Sequence, residues 1–171
     1  MMQRIKALAD IGSTGDGGSC RIALTTEDRD GRDLVVSWMK ELNLEVTTDA
    51  IGNVLGTWNV GTGKPVLTGS HIDTVRTGGI YDGNYGVIAG LEVIQTCQES
   101  GLTPSRPLSV AFFTDEEGAR FSPDMLGSLV YAGGLNLEEA LDIVGIDGKR
   151  VGDELLNIGY AGSAPCPGEA P

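Results

Sequence analysis

His71 is the only histidine in a chain of 171 residues, and it sits in the run Gly69–Ser70–His71–Ile72–Asp73. In an extended segment, residues two apart project from the same face, which places Asp73 beside the imidazole. A carboxylate there can accept one ring N–H and leave the other nitrogen facing a metal ion. Downstream, Asp82 lies within Gly78–Gly79–Ile80–Tyr81–Asp82–Gly83–Asn84–Tyr85–Gly86, and its flanking glycines let the backbone turn sharply and aim the carboxylate inward. Glu116 and Glu117 are adjacent after an apolar run. Paired acids often mark only a helix N-terminus. In a hydrolytic site, one such carboxylate binds metal while its neighbour holds a water and takes its proton. Each group alone is ambiguous; together they suggest a hydrolytic site with two metal ions.

Other chemistries fit less well. Asp82, Asn84 and Gly86 alternate as in a calcium loop, but Val93 occupies the position that needs the bidentate Glu, with Glu92 one residue short. The glycine cluster has neither the GxGxxG order nor a following GK[ST], so it is not a phosphate loop. Cys20, Cys97 and Cys166 are widely spaced and odd in number, which argues against a disulfide framework or a Cys-rich zinc site. No motif accompanies any of them to support a cysteine nucleophile.

These residues need elements to position them. Leu34, Val35, Trp38, Met39 and Leu42 recur at helical spacing, with Asn43 as a C-cap. Residues 45–58 hold two short β-prone stretches split around Asp49–Gly52, and Pro65 to Gly69 reads as a strand. Val87, Ile88, Leu91 and Ile94 mark a helix ending near Gly101. Leu108 to Thr114 is apolar enough for a strand covered on both faces. Leu126 to Ala132 and Leu137 to Val144 look helical. This alternation predicts an α/β fold: a three-layer α/β/α domain with a mostly parallel central sheet. Ligands in such sheets bind beyond the carboxyl ends of the strands, where His71 and Glu116–Glu117 fall.

Composition sets outer bounds. The length suits one domain, and 40% hydrophobic residues describe a globular chain. No apolar run approaches the roughly 18 residues of a membrane span. Met1 to Asp10 lacks the continuous apolar segment of a signal peptide, so a cytoplasmic location is expected. A net charge of -12 excludes nucleic acid and anionic membrane as expected partners.

The stretches GSHIDTVRTGGIYDGNYGV and FFTDEEGARF resemble the M20 family of metallopeptidases and amidohydrolases. Within it they look like the hydantoinase/carbamoylase branch: N-carbamoyl-L-amino acid hydrolases, allantoate amidohydrolases and β-ureidopropionases. Ile11–Gly12, Ala50–Ile51–Gly52–Asn53 and Asp124–Met125–Leu126–Gly127–Ser128 extend the resemblance to about Gly162.

The resemblance implies a zinc-exopeptidase-like catalytic domain over residues 1–162, and the composition of 163–171 marks a Pro/Gly-rich tail. It implies that His71 binds one of two divalent ions (zinc, or manganese or cobalt), that Asp82 bridges them and that Glu117 binds the other. Glu116 would be the general base, and Asp73 would orient His71. The expected substrate is a small ureido or carbamoyl amino acid, cleaved at a C–N bond. The sequence departs from the family in having no second histidine to complete the metal site, and the lid or dimerisation domain is expected to be absent. Weak metal binding is therefore expected, with the chain inactive alone and its partner a missing C-terminal half or a second copy. Rival readings are an M20 aminopeptidase or dipeptidase, and a non-catalytic fragment that only binds a partner chain.

Overall fold

The computed structural model describes residues 1–168. Helix α1 (Met2–Asp10) buries Ile5, Leu8 and Ala9, a spacing that gives it one apolar stripe. Helix α2 (Thr26–Glu41) starts at Thr25, whose hydroxyl accepts the Asp28 N–H, and carries Glu27 and Asp28 in its first turn. It ends as the sequence suggests. Asn43 adopts φ 56°, its N–H reaches the Lys40 carbonyl, and the Leu44 N–H reaches that of Met39. This pair of bonds closes a helix through one left-handed residue, a conformation Asn tolerates.

Strands β1 (Glu45–Thr48) and β2 (Val54–Trp58) form a hairpin, and β3 (Val66–His71), helix α3 (Asn84–Glu99) and β4 (Leu108–Phe113) follow. The sheet order is β1-β2-β4-β3. Only β3 and β4 pair in parallel; β1–β2 and β2–β4 are antiparallel. The α/β class stands, but the expected mostly parallel sheet is mixed. The reason lies in the connections: a parallel neighbour needs a crossover of a dozen residues or more, and only α3 supplies one. Residues 49–53 are too few, so β1 and β2 must fold back on each other.

Helices cover both faces, which makes the three layers. Gly56, Thr68 and Val110 lie side by side in the sheet register. Gly56 approaches Met39 of α2, while Thr68 and Val110 approach Gly90 of α3. On the opposite face, Phe113 meets Tyr131 of α4 (Leu126–Tyr131) edge to face, with ring centroids 5.6 Å apart. Helices α5 (Leu137–Asp142) and α6 (Val151–Ile158) pack on each other beyond it. Strand β4 lies inside the sheet, and Ser109 through Phe112 are buried, as its apolar run requires. No helix among the described residues is long and apolar enough to cross a membrane.

The Pro/Gly-rich end of the chain is docked where it is described. The Gly162 N–H bonds the Asp49 carbonyl and the Ala164 N–H that of Thr48, laying the chain along the outer edge of β1. The remainder of that tail, residues 169–171, lies outside the described residues.

Candidate active site

Because β3 and β4 run parallel and adjacent, their carboxyl ends open on the same side. His71 ends β3 opposite Phe113, and Glu116–Glu117 follow β4 by three residues. Asp82 arrives from the loop before α3. The His71 side chain is 5% exposed and that of Asp82 73% exposed, so a buried ring faces a solvent-exposed carboxylate. Nε2 of His71 lies 3.2 Å from Glu116 Oε2 and 4.0 Å from Asp82 Oδ1. Glu117 belongs to the same cluster. Its carboxylate accepts the Val75 N–H, and partial burial raises its pKa, opposed by His71 and reinforced by Asp82 and Glu116.

Asp73 meets His71 through its carbonyl and not, as expected, through its carboxylate. Nδ1 of His71 is 2.9 Å from the Asp73 backbone carbonyl and 3.8 Å from its carboxylate. A carbonyl can only accept, so Nδ1 donates to Asp73, and Nε2 is the ring nitrogen that faces Glu116 and Asp82. A contact through the Asp73 carboxylate needs an extended chain through residue 73, but β3 ends at His71. The Asp73 carboxylate instead accepts the N–H groups of Glu116 and Glu117, both at 3.3 Å. Asp73 therefore holds both halves of the site, His71 through its main chain and the Glu pair through its side chain. Burial raises its pKa to about 6, with the nearby Asp28 charge acting in the same direction.

Gly83 makes the close approach possible. Its φ is 63°, and a Cβ there would lie 2.5 Å from the His71 carbonyl oxygen and 2.6 Å from both Cε1 and Nδ1. Only glycine lets the start of α3 pass this close.

Beneath the Glu pair lies a buried polar layer that sequence reasoning missed. Asn53 accepts the Thr114 N–H through Oδ1 and donates through Nδ2 to Asp49 and to the Gly127 carbonyl. Arg32, fully buried, donates to Asp28, the Gly52 carbonyl and Thr114. Asp115 sits at φ 52° with both carboxylate oxygens buried and without a hydrogen-bond partner of ordinary geometry. Burial, then the Asp73 charge, push its pKa up to about 8; the Phe121 N–H opposes this only in part. Asp115 is thus protonated at neutral pH. Nothing in composition or periodicity separates a buried Arg or Asn from a surface one, so only the paired Gly52–Asn53 turn was visible.

The donor types suit a divalent cation: one imidazole lone pair and several carboxylates. At zinc bond lengths of 2.0–2.1 Å, neighbouring donors of a tetrahedron lie about 3.4 Å apart. The His71–Asp82 separation of 4.0 Å exceeds this by about 0.6 Å. Among the described residues, however, no three His, Cys, Asp or Glu side chains converge closely enough to hold an ion. The residues fit an open, pairwise site and not a closed cage.

Residues 53–147 match the family model described as peptidase family M28. The chain is 41% identical over 167 residues to an N-carbamoyl-L-amino acid amidohydrolase of Geobacillus stearothermophilus, covering 88% of this chain and 41% of that protein. The crystal structure of a hydantoinase/carbamoylase family amidase from Burkholderia ambifaria superposes with a TM-score of 0.95 at 42% identity, covering 99% of this chain and 42% of that one. The structure of AtUAH in complex with (S)-hydroxyglycine gives 0.87 at 33% identity, over 94% of this chain and 39% of that one. The chain spans about two fifths of the length of such relatives. The M28 match and these relatives together show that the chain belongs to the M28/M20-like hydantoinase/carbamoylase family of amidohydrolases.

Proposed function

We propose that the chain carries the part of a metal-dependent amidohydrolase that activates water against the carbonyl carbon of ureido or carbamoyl compounds, N-carbamoyl-L-amino acids foremost. The 3.2 Å approach of Glu116 to His71 Nε2, at the ends of adjacent parallel strands, carries this reading. The naming of a relative as an N-carbamoyl-L-amino acid amidohydrolase supports the substrate class. His71, Asp82 and Glu117 would hold two divalent ions, zinc or else manganese or cobalt, with Asp82 between them. A divalent ion at such a site makes water acidic near neutral pH and polarises a carbonyl. Three protein donors for two ions leave positions open to water or to further polypeptide, so binding is weak.

Glu116 takes the proton of the attacking water and delivers it to the leaving nitrogen. Asp73 keeps Glu116 in reach by binding its N–H, and holds the His71 tautomer that presents a lone pair. Hydrolysis of a carbamoyl substrate gives carbon dioxide, ammonia and the free amino acid. The three cysteines are free, which suits a reducing, cytoplasmic setting. The peptidase family match favours a second reading, cleavage of a peptide bond by the same groups.

The test gives the purified chain zinc or manganese and a panel of N-carbamoyl amino acids and dipeptides, with metal binding measured alongside. Metal-dependent ammonia release that disappears in Glu116→Gln supports the proposal. Amino acid release from dipeptides alone transfers it to the second reading. Absence of both turnover and a metal complex that depends on His71 refutes it.

A further inference from the structure

Arg21 is fully buried, yet among the described residues its guanidinium makes no ion pair. Nε donates to the Ile72 carbonyl at 2.8 Å, and Nη2 donates to Asn84 Oδ1 at 3.0 Å. Nη1 reaches the carbonyls of Leu8 and Ile11, both at 2.9 Å, and the Ser19 hydroxyl at 3.2 Å. Every acceptor is neutral. The nearest compensation comes through space from Asp28 and Asp73. A buried cation so arranged is a poor way to gain stability, since a well-packed apolar side chain avoids the desolvation cost.

The acceptors' positions explain its presence. Ile72 is the residue between His71 and Asp73. Asn84 is two residues past Asp82, and it also donates from Nδ2 to the Ile80 carbonyl at 3.1 Å, closing the loop around Asp82. The Arg21 main chain adds a brace: its N–H bonds the Thr74 hydroxyl at 2.8 Å, and its carbonyl accepts the Thr74 N–H at 2.9 Å. One rigid fork therefore joins the end of β3 to the start of α3. Tying down the last turn of α1 accounts for Nη1, but not for Nε or Nη2.

We propose that Arg21 is a positioning residue that fixes the separation of His71 and Asp82 by clamping the Ile72 carbonyl to Asn84. The role rests on the reading of His71 and Asp82 as metal donors. Losing a partner outside the donor set commonly weakens metal binding about 10- to 100-fold. Lysine has one ammonium and cannot span both acceptors as a planar fork does.

The test uses the full chain and two readouts. The first is the zinc dissociation constant, measured by competition with a chromophoric chelator. The second is the long-range 1H–15N spectrum of the single imidazole in chelator-treated protein, which reports whether Nδ1 or Nε2 carries the proton. Arg21→Met is expected to weaken zinc binding at least tenfold and to shift His71 away from its Nδ1–H form, and Arg21→Lys not to restore either. Arg120→Met removes another buried arginine, one bound to the Ala23 and Leu24 carbonyls, and is expected to lower the melting temperature with zinc affinity unchanged. An Arg21→Met protein that melts earlier but keeps zinc affinity within twofold and the same tautomer overturns the proposal. If Arg21→Met does not fold, Asn84→Ala cuts the Asn84 link alone and is judged by the same two criteria. If the unaltered chain binds no zinc, the metal-site reading fails, and the imidazole spectrum alone decides the role of Arg21.

Discussion

Replacing Gly83 with alanine puts a methyl group where the His71 ring and carbonyl already are. The new Cβ would meet three His71 atoms at 2.5–2.6 Å, whereas carbon atoms rest comfortably at about 3.5–4.0 Å. About 1 Å of movement is therefore required. Holding a non-glycine residue at φ 63° costs about 1–2 kcal/mol, and forcing extra volume into a packed site about 1–3 kcal/mol. The total, about 2–5 kcal/mol, becomes a fall in melting temperature of about 4–20 °C for a chain of this length. The fall divides by mechanism. If the imidazole swings away, its bond to the Asp73 carbonyl breaks, the melting temperature drops near the low end, and zinc affinity is lost. If the imidazole stays, α3 must retreat and the drop approaches the high end. Thermal unfolding by circular dichroism, paired with the zinc competition assay, separates the two. Gly79→Ala in the same loop is the control, because its added Cβ meets nothing within 4 Å. A Gly83→Ala protein that melts within 2 °C of the original and binds zinc as well would refute this account of the site.

Asp115 gives the metal-free chain a pH signature. Its folded pKa of about 8 exceeds the ordinary 3.8, so between those values the folded state holds a proton that the unfolded state has lost. This contribution to stability is complete below about pH 4, declines as pH rises through 8 and is flat above. Asp115→Asn is expected to remove that slope and to melt higher than the original at pH 9 in chelator; an unaltered profile would contradict the assignment. Asn53→Ala removes the amide that bonds Oδ2 of Asp49, the Gly127 carbonyl and the Thr114 N–H, while Oδ1 of Asp49 keeps its backbone donors. The expected loss is about 2–4 kcal/mol, read as a lowered urea midpoint, and a loss below about 0.5 kcal/mol would show that the layer is replaceable.

Much of this was legible because some residues carry their constraints locally. Asn43 announced the end of α2, the Asp49–Gly52 break announced the hairpin, and the apolar run of β4 announced a buried strand. His71, Asp82 and Glu116–Glu117 stood out by type and by placement after strands or between glycines. Sheet polarity was less legible, since alternating elements imply crossovers and the short connection between β1 and β2 weighed too little. Helices α1 and α6 were overlooked: neither has a side-chain N-cap, and α6 shows only Val151 and Leu155 as its buried pair. The polar supports were the least legible. Arg21, Arg32 and Asn53 matter through partners 20 to 82 residues away, such as Arg32 with Gly52 and Thr114. No local pattern encodes a partner at that distance. Asp73 shows the same limit at short range, because one turn of backbone at the end of β3 exchanged the roles of its carbonyl and carboxylate.

The parallel pairing of β3 and β4 also orders the events of folding. Thr48 meets Val54 across the hairpin after six residues, whereas Val66 meets Leu108 only after forty-two. Closing the longer loop costs more chain entropy, and the contacts that reward it come after α3 has crossed. The hairpin can therefore form before His71 and Glu116 have met. His71 and Glu116 come within reach of each other only as the crossover closes, so the candidate site is assembled with the slowest part of the topology.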